Sequence, residues 1–122
     1  MEKLIRRHHI SFKNAFSGLK WAVSTQPNFR VHFLLSILAV IAAIYLRLSA
    51  LEWILLIFTI FWGLATEMLN TAIEAICDLI TQEWRKEIKI AKDVAAAMML
   101  TVAAGSVIVA LLLFIPKLIS RL

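Results

Sequence analysis

Three long apolar runs dominate the chain, at about residues 31–48, 51–70 and 94–115. A helix rises about 1.5 Å per residue, so each run is long enough to cross a hydrocarbon core about 30 Å thick. A very short turn at Ser49 separates the first two runs, and Pro116 is expected to end the third. The third run is rich in alanine, which lets helices pack closely, so we expect it to be the most enclosed. The pattern predicts an all-α integral membrane protein with three transmembrane helices.

The segment before the first span has the periodicity of an amphipathic helix, predicted over residues 5–25. Its apolar positions are three, four or seven residues apart, namely Ile5, Phe12, Phe16, Leu19 and Val23. Such a helix lies on the membrane surface or packs against the protein's own spans, and the pattern fits both arrangements. Pro27 then interrupts the pattern, because proline lacks a backbone donor and disfavours helix in the preceding residue. A new helix is expected to begin near Asn28.

Composition and charge support a membrane protein. Of the 122 residues, 61% are hydrophobic, and a chain this short cannot build a core that buries them. The net charge of +5 comes without a soluble basic face or a base-reading element, which argues against nucleic-acid binding. Basic residues instead cluster before the first span and in the second loop, which predicts a cytoplasmic N-terminus and second loop. We expect no signal peptide, one domain over residues 1–122, and a solvated connection at 81–89.

A polar stripe runs along one side of the second span at its cytoplasmic end. Its members fall within an arc of about 100° at the turn angle of a helix: Glu67, Asn70, Thr71, Glu74 and Asp78. The stripe begins inside an apolar sequence, where ionisable groups are costly and usually serve a function. Carboxylates on one face suit Mg²⁺, which takes oxygen ligands, but they also suit the movement of protons or cations. The stripe alone leaves both functions open.

Lys92 and Asp93 precede the third span at the same level as the stripe. Either residue also has a simpler explanation, since a lysine at a membrane boundary fixes topology and an aspartate can cap a helix. Together with the stripe, however, they supply carboxylates for Mg²⁺ and a lysine for phosphate, which is what phosphoryl transfer to a lipid hydroxyl requires. The chain has no glycine-rich phosphate loop, which argues against a Walker-type or eukaryotic-type kinase.

Two segments carry a resemblance to a known family. The sequence Glu67-Met-Leu-Asn-Thr-Ala-Ile-Glu74-Ala-Ile-Cys-Asp78, followed by Ala91-Lys92-Asp93, closely resembles the signature of the prokaryotic diacylglycerol kinase and undecaprenol kinase family. The order of parts is similar along essentially the whole chain. The resemblance implies a multi-pass enzyme of the bacterial inner (plasma) membrane that uses ATP and Mg²⁺. It also implies a homotrimer whose active sites are shared between neighbouring chains.

The resemblance assigns roles by motif position. Glu67 would be the base that takes the proton from the lipid hydroxyl, and Asn70 would orient the reacting groups. Glu74 would bind Mg²⁺ that bridges the ATP phosphates. Nucleotide-binding roles would fall to Lys92, Asp93, Asp78 and, by a looser alignment, Arg7.

The segment around the start of the first span differs from the family pattern at one position and matches it at others. The family often has a glutamate there as a second metal ligand, whereas this chain has Gln26, which offers only a neutral oxygen. Arg30 and His32 would contact the lipid substrate, and the Asn-Phe-Arg-x-His pattern is more similar to undecaprenol-type members. The acceptor is therefore either diacylglycerol, giving phosphatidic acid, or undecaprenol, giving undecaprenyl phosphate.

Two other functions compete with a lipid kinase. A small cation or proton transporter would use the same carboxylates, although it normally needs ionisable groups near the bilayer midplane. The outer halves of the spans offer only uncharged polar residues, namely Ser36, Tyr45, Thr59 and Ser106. A structural or accessory membrane protein would not depend on the stripe at all.

Overall fold

A computed structural model describes residues 2–121, with side chains from residue 11 onward. The chain forms four helices: α1 (Glu2–Thr25), α2 (Pro27–Leu46), α3 (Ala50–Ile80) and α4 (Lys86–Ile119). The last three are long and apolar enough to cross a membrane. The prediction of an all-α chain with three spans is thereby confirmed.

Helix α1 leaves its apolar side uncovered within the chain. Phe12 and Phe16 are both more than 70% exposed, and among the described residues of α1 only Ala22 is buried. Packing against the protein's own spans therefore does not account for the amphipathic pattern in a single chain. The uncovered face suits a membrane surface, where phenylalanine enters the acyl boundary.

The connection between α2 and α3 is only three residues long. Helix α2 ends at Leu46, two residues before the predicted limit, because Arg47 adopts a left-handed backbone conformation with φ 54°. The Leu48 backbone N–H then bonds the Ala43 carbonyl at 3.2 Å, and Leu48 is buried. Ser49 starts α3 through a capping box, because its hydroxyl accepts from the Glu52 N–H while the Glu52 carboxylate accepts from the Ser49 N–H.

The best-packed part of the molecule lies at this hairpin end. Its buried residues come from α2, the connection, α3 and α4, namely Ala43, Leu46, Leu48, Leu56 and Leu113. Elsewhere most large apolar side chains are exposed, as expected for helices that face lipid or neighbouring chains. Helices α3 and α4 make the most extensive contact.

Three predictions about α4 were wrong. It begins at Lys86, so residues 86–89 of the predicted connection are helical and only 81–85 link α3 to α4. It also continues past Pro116 to Ile119, because a proline removes a single donor and the next turn re-forms, with the Ser120 N–H bonded to the Pro116 carbonyl at 3.0 Å. Within one chain, α3 is more buried than α4, whose small residues are largely exposed.

Helices α3 and α4 are longer than a bilayer requires. They contain 31 and 34 residues, whereas about 20 suffice to cross the hydrocarbon core. The buried core holds the start of α3 and the C-terminal part of α4 at the hairpin. The surplus length of both helices therefore extends toward the α3–α4 connection. Counting about 20 residues from Ala50, we expect Glu67 at the far boundary of the hydrocarbon core, and Glu74, Asp78 and Lys92 near or beyond the headgroup level.

Polar contacts join the end of α4 to the hairpin. Lys117 Nζ lies 2.9 Å from Glu52 Oε2, and both side chains are less than one-third exposed. The Arg121 guanidinium lies over the Tyr45 ring, 5.0 Å from its centroid. Glu52 thus both caps α3 and pairs with α4.

We predict that Glu52→Ala lowers the thermal unfolding midpoint more than Lys117→Ala. The first substitution removes the capping box and the ion pair, whereas the second removes only the ion pair. Thermal unfolding of the purified variants in one detergent measures the difference. Glu87→Ala, at an exposed position in the first turn of α4, is the control and should match the unchanged protein. Equal midpoints for all three variants would contradict the double role of Glu52.

Candidate active site

The polar stripe of α3 passes from the protein interior to solvent. Glu67 and Asn70 are buried, at 3% and 7% exposure, Glu74 is half-buried and Asp78 is exposed. Thr66 is also buried, and its hydroxyl donates to the Trp62 carbonyl of its own helix. Glu67 is therefore a carboxyl group largely shielded from solvent, which is costly without a function or a partner.

Asn70 links the buried and the exposed parts of the stripe. Its Nδ2 donates to Glu74 Oε1 at 3.1 Å, which fixes both side chains on one face of the helix. Its Oδ1 is buried and has no hydrogen-bond partner among the described side chains. A buried acceptor without a partner is costly, so Oδ1 is suited to a group that joins the site from outside the chain.

Lys92 brings a cation from α4 to the stripe. Its Nζ lies 2.5 Å from Asp78 Oδ1, and the Glu74 carboxylate is near enough to act on it electrostatically. The predicted approach of the lysine to the carboxylates is thus confirmed. Because Lys92 sits in the second turn of α4, its position depends on the early start of this helix at Lys86.

His32 of α2 reaches the buried end of the stripe. It is half-buried, and His32 and Glu74 both lie near enough to Glu67 to act on its carboxyl group electrostatically. The three spans therefore each contribute to one cluster: His32 from α2, the acidic face from α3 and Lys92 from α4. In this order, Glu67 can accept a proton and the Asn70 amide can orient a substrate. Lys92, beside the Glu74 carboxylate, can bind phosphate.

The remaining predicted site residues do not join this cluster within one chain. Asp93 lies inside α4, so it is not a helix cap, and it pairs with Lys89 one turn away. Gln26, the N-cap residue of α2, donates to Thr25 Oγ1 at 3.3 Å. Arg30 is exposed in the first turn of α2. Arg7 lies outside the side chains that the structure describes.

The donor set around Glu74 fits a magnesium ion only in part. Among residues 11–121, no three histidine, cysteine, aspartate or glutamate side chains are grouped as metal ligands. Mg²⁺ is commonly held by one or two carboxylates together with substrate phosphates and water, so a complete protein cage is not required. The Glu74 carboxylate and the unpartnered Asn70 Oδ1 supply two oxygens of the right kind.

A groove continues from the buried end of the cluster toward the hairpin. It encloses about 320 Å³ between α2, α3 and α4 and is lined almost entirely by apolar atoms. His32 lies at one end, and Gly63 and Leu64 line it one turn before Glu67. The sequence does not predict this groove. Its one signal is Gly63, four residues before Glu67 and therefore on the same face of the helix.

Comparison with known proteins identifies the family of the chain. The pattern of the family described as prokaryotic diacylglycerol kinase matches residues 13–114. A diacylglycerol kinase of Synechocystis is 38% identical over 91% of the chain, which spans 64% of that relative's length. An undecaprenol kinase of Bacillus subtilis is 36% identical over 93% of both chains. A diacylglycerol kinase of Escherichia coli strain K12 is 33% identical over 77% of both chains.

The matched segment holds α2, α3 and nearly all of α4, including each residue of the cluster. Relatives from three bacteria that are 33–38% identical to the chain over the aligned residues carry the names of two lipid kinases. The chain therefore belongs to the prokaryotic diacylglycerol kinase family, a family of membrane-embedded lipid kinases.

Proposed function

We propose that the chain transfers the γ-phosphoryl group of ATP to the hydroxyl of diacylglycerol or undecaprenol at the membrane surface. The observation that carries this proposal is the position of Glu67, a buried carboxyl group on the same face of α3 as Glu74 and as Asp78, which pairs with Lys92. A lipid hydroxyl reaches this depth from the bilayer, whereas ATP approaches from solvent. The two substrates meet between Glu67 and Lys92.

The residues divide the reaction between them. Glu67 accepts the proton of the lipid hydroxyl as the oxygen attacks the γ-phosphorus, and the bond to the β-γ bridging oxygen breaks. Asn70, held by Glu74, orients the reacting groups through its amide. Lys92 binds the phosphates, with Asp78 holding its ammonium group at the site. These contacts position the substrates and neutralise charge, which is most of what phosphoryl transfer needs from a protein.

Glu74 is the proposed protein ligand of Mg²⁺, and Gln26 adds a neutral oxygen if it approaches from a neighbouring chain. A bound Mg²⁺ neutralises charge on the ATP phosphates. Glu74 also keeps Asn70 in place, so its carboxylate has two functions that substitutions can separate.

A transporter explains the spans less well. Beyond Glu67 toward the hairpin, the groove offers only hydroxyl groups, and those of Ser36, Thr59 and Ser106 donate to carbonyls of their own helices. Charges reappear at the far end in Glu52 and Lys117, which pair with each other. An ion path through both leaflets normally places ionisable groups near the midplane.

We also propose that the chain works as a homotrimer with shared sites, its N-terminus and α3–α4 connection in the cytoplasm of a bacterial cell. Two observations support assembly. The small residues of α4 are exposed in one chain, namely Ala96, Ala97, Ala104 and Gly105, which favours close contact with another helix. Arg30 and Gln26 make no contact with the cluster in their own chain, which is compatible with a role in a neighbour's cluster.

Glu67→Gln is expected to lower kcat by about 10²–10⁴-fold with both lipids, because the amide keeps the shape but cannot accept a proton. Transfer of ³²P from labelled ATP to each lipid in mixed micelles measures the loss. Glu83→Gln changes an exposed glutamate of the α3–α4 connection and should leave kcat unchanged. Full activity of Glu67→Gln would remove this residue as the base.

Glu74→Ala and Glu74→Gln are both expected to shift half-maximal activity to higher Mg²⁺, because each removes the carboxylate ligand. Glu74→Gln keeps an acceptor for Asn70, so it should retain more kcat at saturating Mg²⁺ than Glu74→Ala. Magnesium titration at fixed ATP distinguishes the two effects. An unchanged midpoint in both variants would place the metal elsewhere.

Mixing subunits tests the shared site. Arg30→Ala and Glu67→Gln proteins, each poorly active alone, are unfolded together and refolded into mixed trimers. If Arg30 acts in a neighbour's site, random mixing at equal amounts restores about a quarter of the unchanged activity. A mixture that stays at the level of the separate variants would show that both residues serve the same chain's site.

A further inference from the structure

The groove has the shape and surface of a hydrocarbon site. Its lining runs from His32 to Ala39 on α2, Leu56 to Leu64 on α3, and Ala103 to Ala110 on α4. Seven residues of helix rise about 10 Å, so the groove extends roughly a third of the way across the hydrocarbon core. Its volume of about 320 Å³ falls in the range of ligand-binding clefts.

The polar side chains in the groove leave it apolar. Ser36 donates to the His32 carbonyl at 2.7 Å, Thr59 to Leu55 at 2.7 Å and Ser106 to Val102 at 2.9 Å. Each hydroxyl proton is therefore directed back to its own helix. Water would find few hydrogen-bond partners in the groove, whereas a hydrocarbon chain needs none.

The groove opens at the proposed catalytic base. Gly63 lies in its wall, and Glu67 follows one turn later on the same face of α3. His32 lines the groove and is also near enough to Glu67 to act on it electrostatically. A hydrocarbon chain lying in the groove would place a hydroxyl group at the end of that chain beside Glu67.

Gly63 keeps this end wide. A Cβ added at this position would have no neighbouring atom within 4 Å, so the space beside it is open. A larger side chain there would enter the groove without first meeting the protein. The width of the groove beside Glu67 therefore depends on the absence of a side chain at residue 63.

We infer that the groove binds the hydrocarbon chain of the lipid acceptor next to its hydroxyl, and that Gly63 determines how bulky this part of the chain can be. The inference rests on the proposed lipid kinase function and adds the place and the residue that select the chain. The acceptor enters from the bilayer with its hydroxyl toward Glu67. The groove holds the carbons that follow and fixes the distance between hydroxyl and base.

Substitution of Gly63 tests the inference against a matched control. Gly63→Leu should raise the KM for diacylglycerol and undecaprenol about tenfold or more, with Gly63→Ala between it and the unchanged protein, while the KM for ATP stays the same. Gly18→Leu is the control, because Gly18 also has open space but does not line the groove. Equal lipid KM values for the two leucine variants would overturn the inference. Loss of the oligomer on size-exclusion chromatography by Gly63→Leu alone would also overturn it, since the groove would then hold a neighbouring subunit.

Photolabelling tests the site without relying on activity. Diacylglycerol with a diazirine near the start of one acyl chain should label groove residues such as Ala39, Ile60 and Val107 in the unchanged protein. Phosphatidylcholine with the same chain should label them far less, and equal labelling would overturn the inference. If the unchanged protein phosphorylates neither lipid, the proposed function fails. Transfer without labelling of the groove refutes this inference alone.

Discussion

A hydrocarbon environment offers the backbone no hydrogen-bond partners, and the rest of this structure depends on that constraint. The chain meets it with four helices joined by connections of only one, three and five residues. Loops long enough to cradle a nucleotide are absent between residues 11 and 121. The functional side chains must therefore lie on helix faces, at intervals of three or four residues, where a helix leaves the bilayer. The stripe from Glu67 to Asp78, the proposed catalytic site, has the form expected under this constraint.

The sequence predicted the parts of the site that one helix determines. Glu67, Asn70 and Glu74 share a face at any regular helical geometry, so spacing alone brings Asn70 to Glu74. Contacts between helices were harder to foresee. The approach of Lys92 to Asp78 followed from topology, but the pairing of Asp93 with Lys89 depends on where α4 begins, and its charged first turns resemble a solvated loop in sequence. The groove could not be predicted, because it is defined by space between three helices.

The single chain satisfies its polar groups unevenly. At the hairpin end, the capping box and the ion pair of Glu52 with Lys117 leave little for a partner to complete. At the α3–α4 end, an amide oxygen is buried without a partner and the carboxylates outnumber the cations that contact them. This difference separates a structural end, whose polar groups are paired within one chain, from an end whose unpaired polar groups suit the proposed substrates.

The unbroken course of α4 has a mechanical consequence. The helix is tied to α3 at both extremes, by Lys117 with Glu52 and by Lys92 with Asp78. Membrane helices accommodate a change of bilayer thickness mainly by tilting. Because α3 and α4 also share the most extensive helix contact in the chain, we expect the two helices to tilt together. A thinner or thicker membrane is then expected to change the tilt of the polar stripe relative to the lipid surface while the contacts between α3 and α4 are kept.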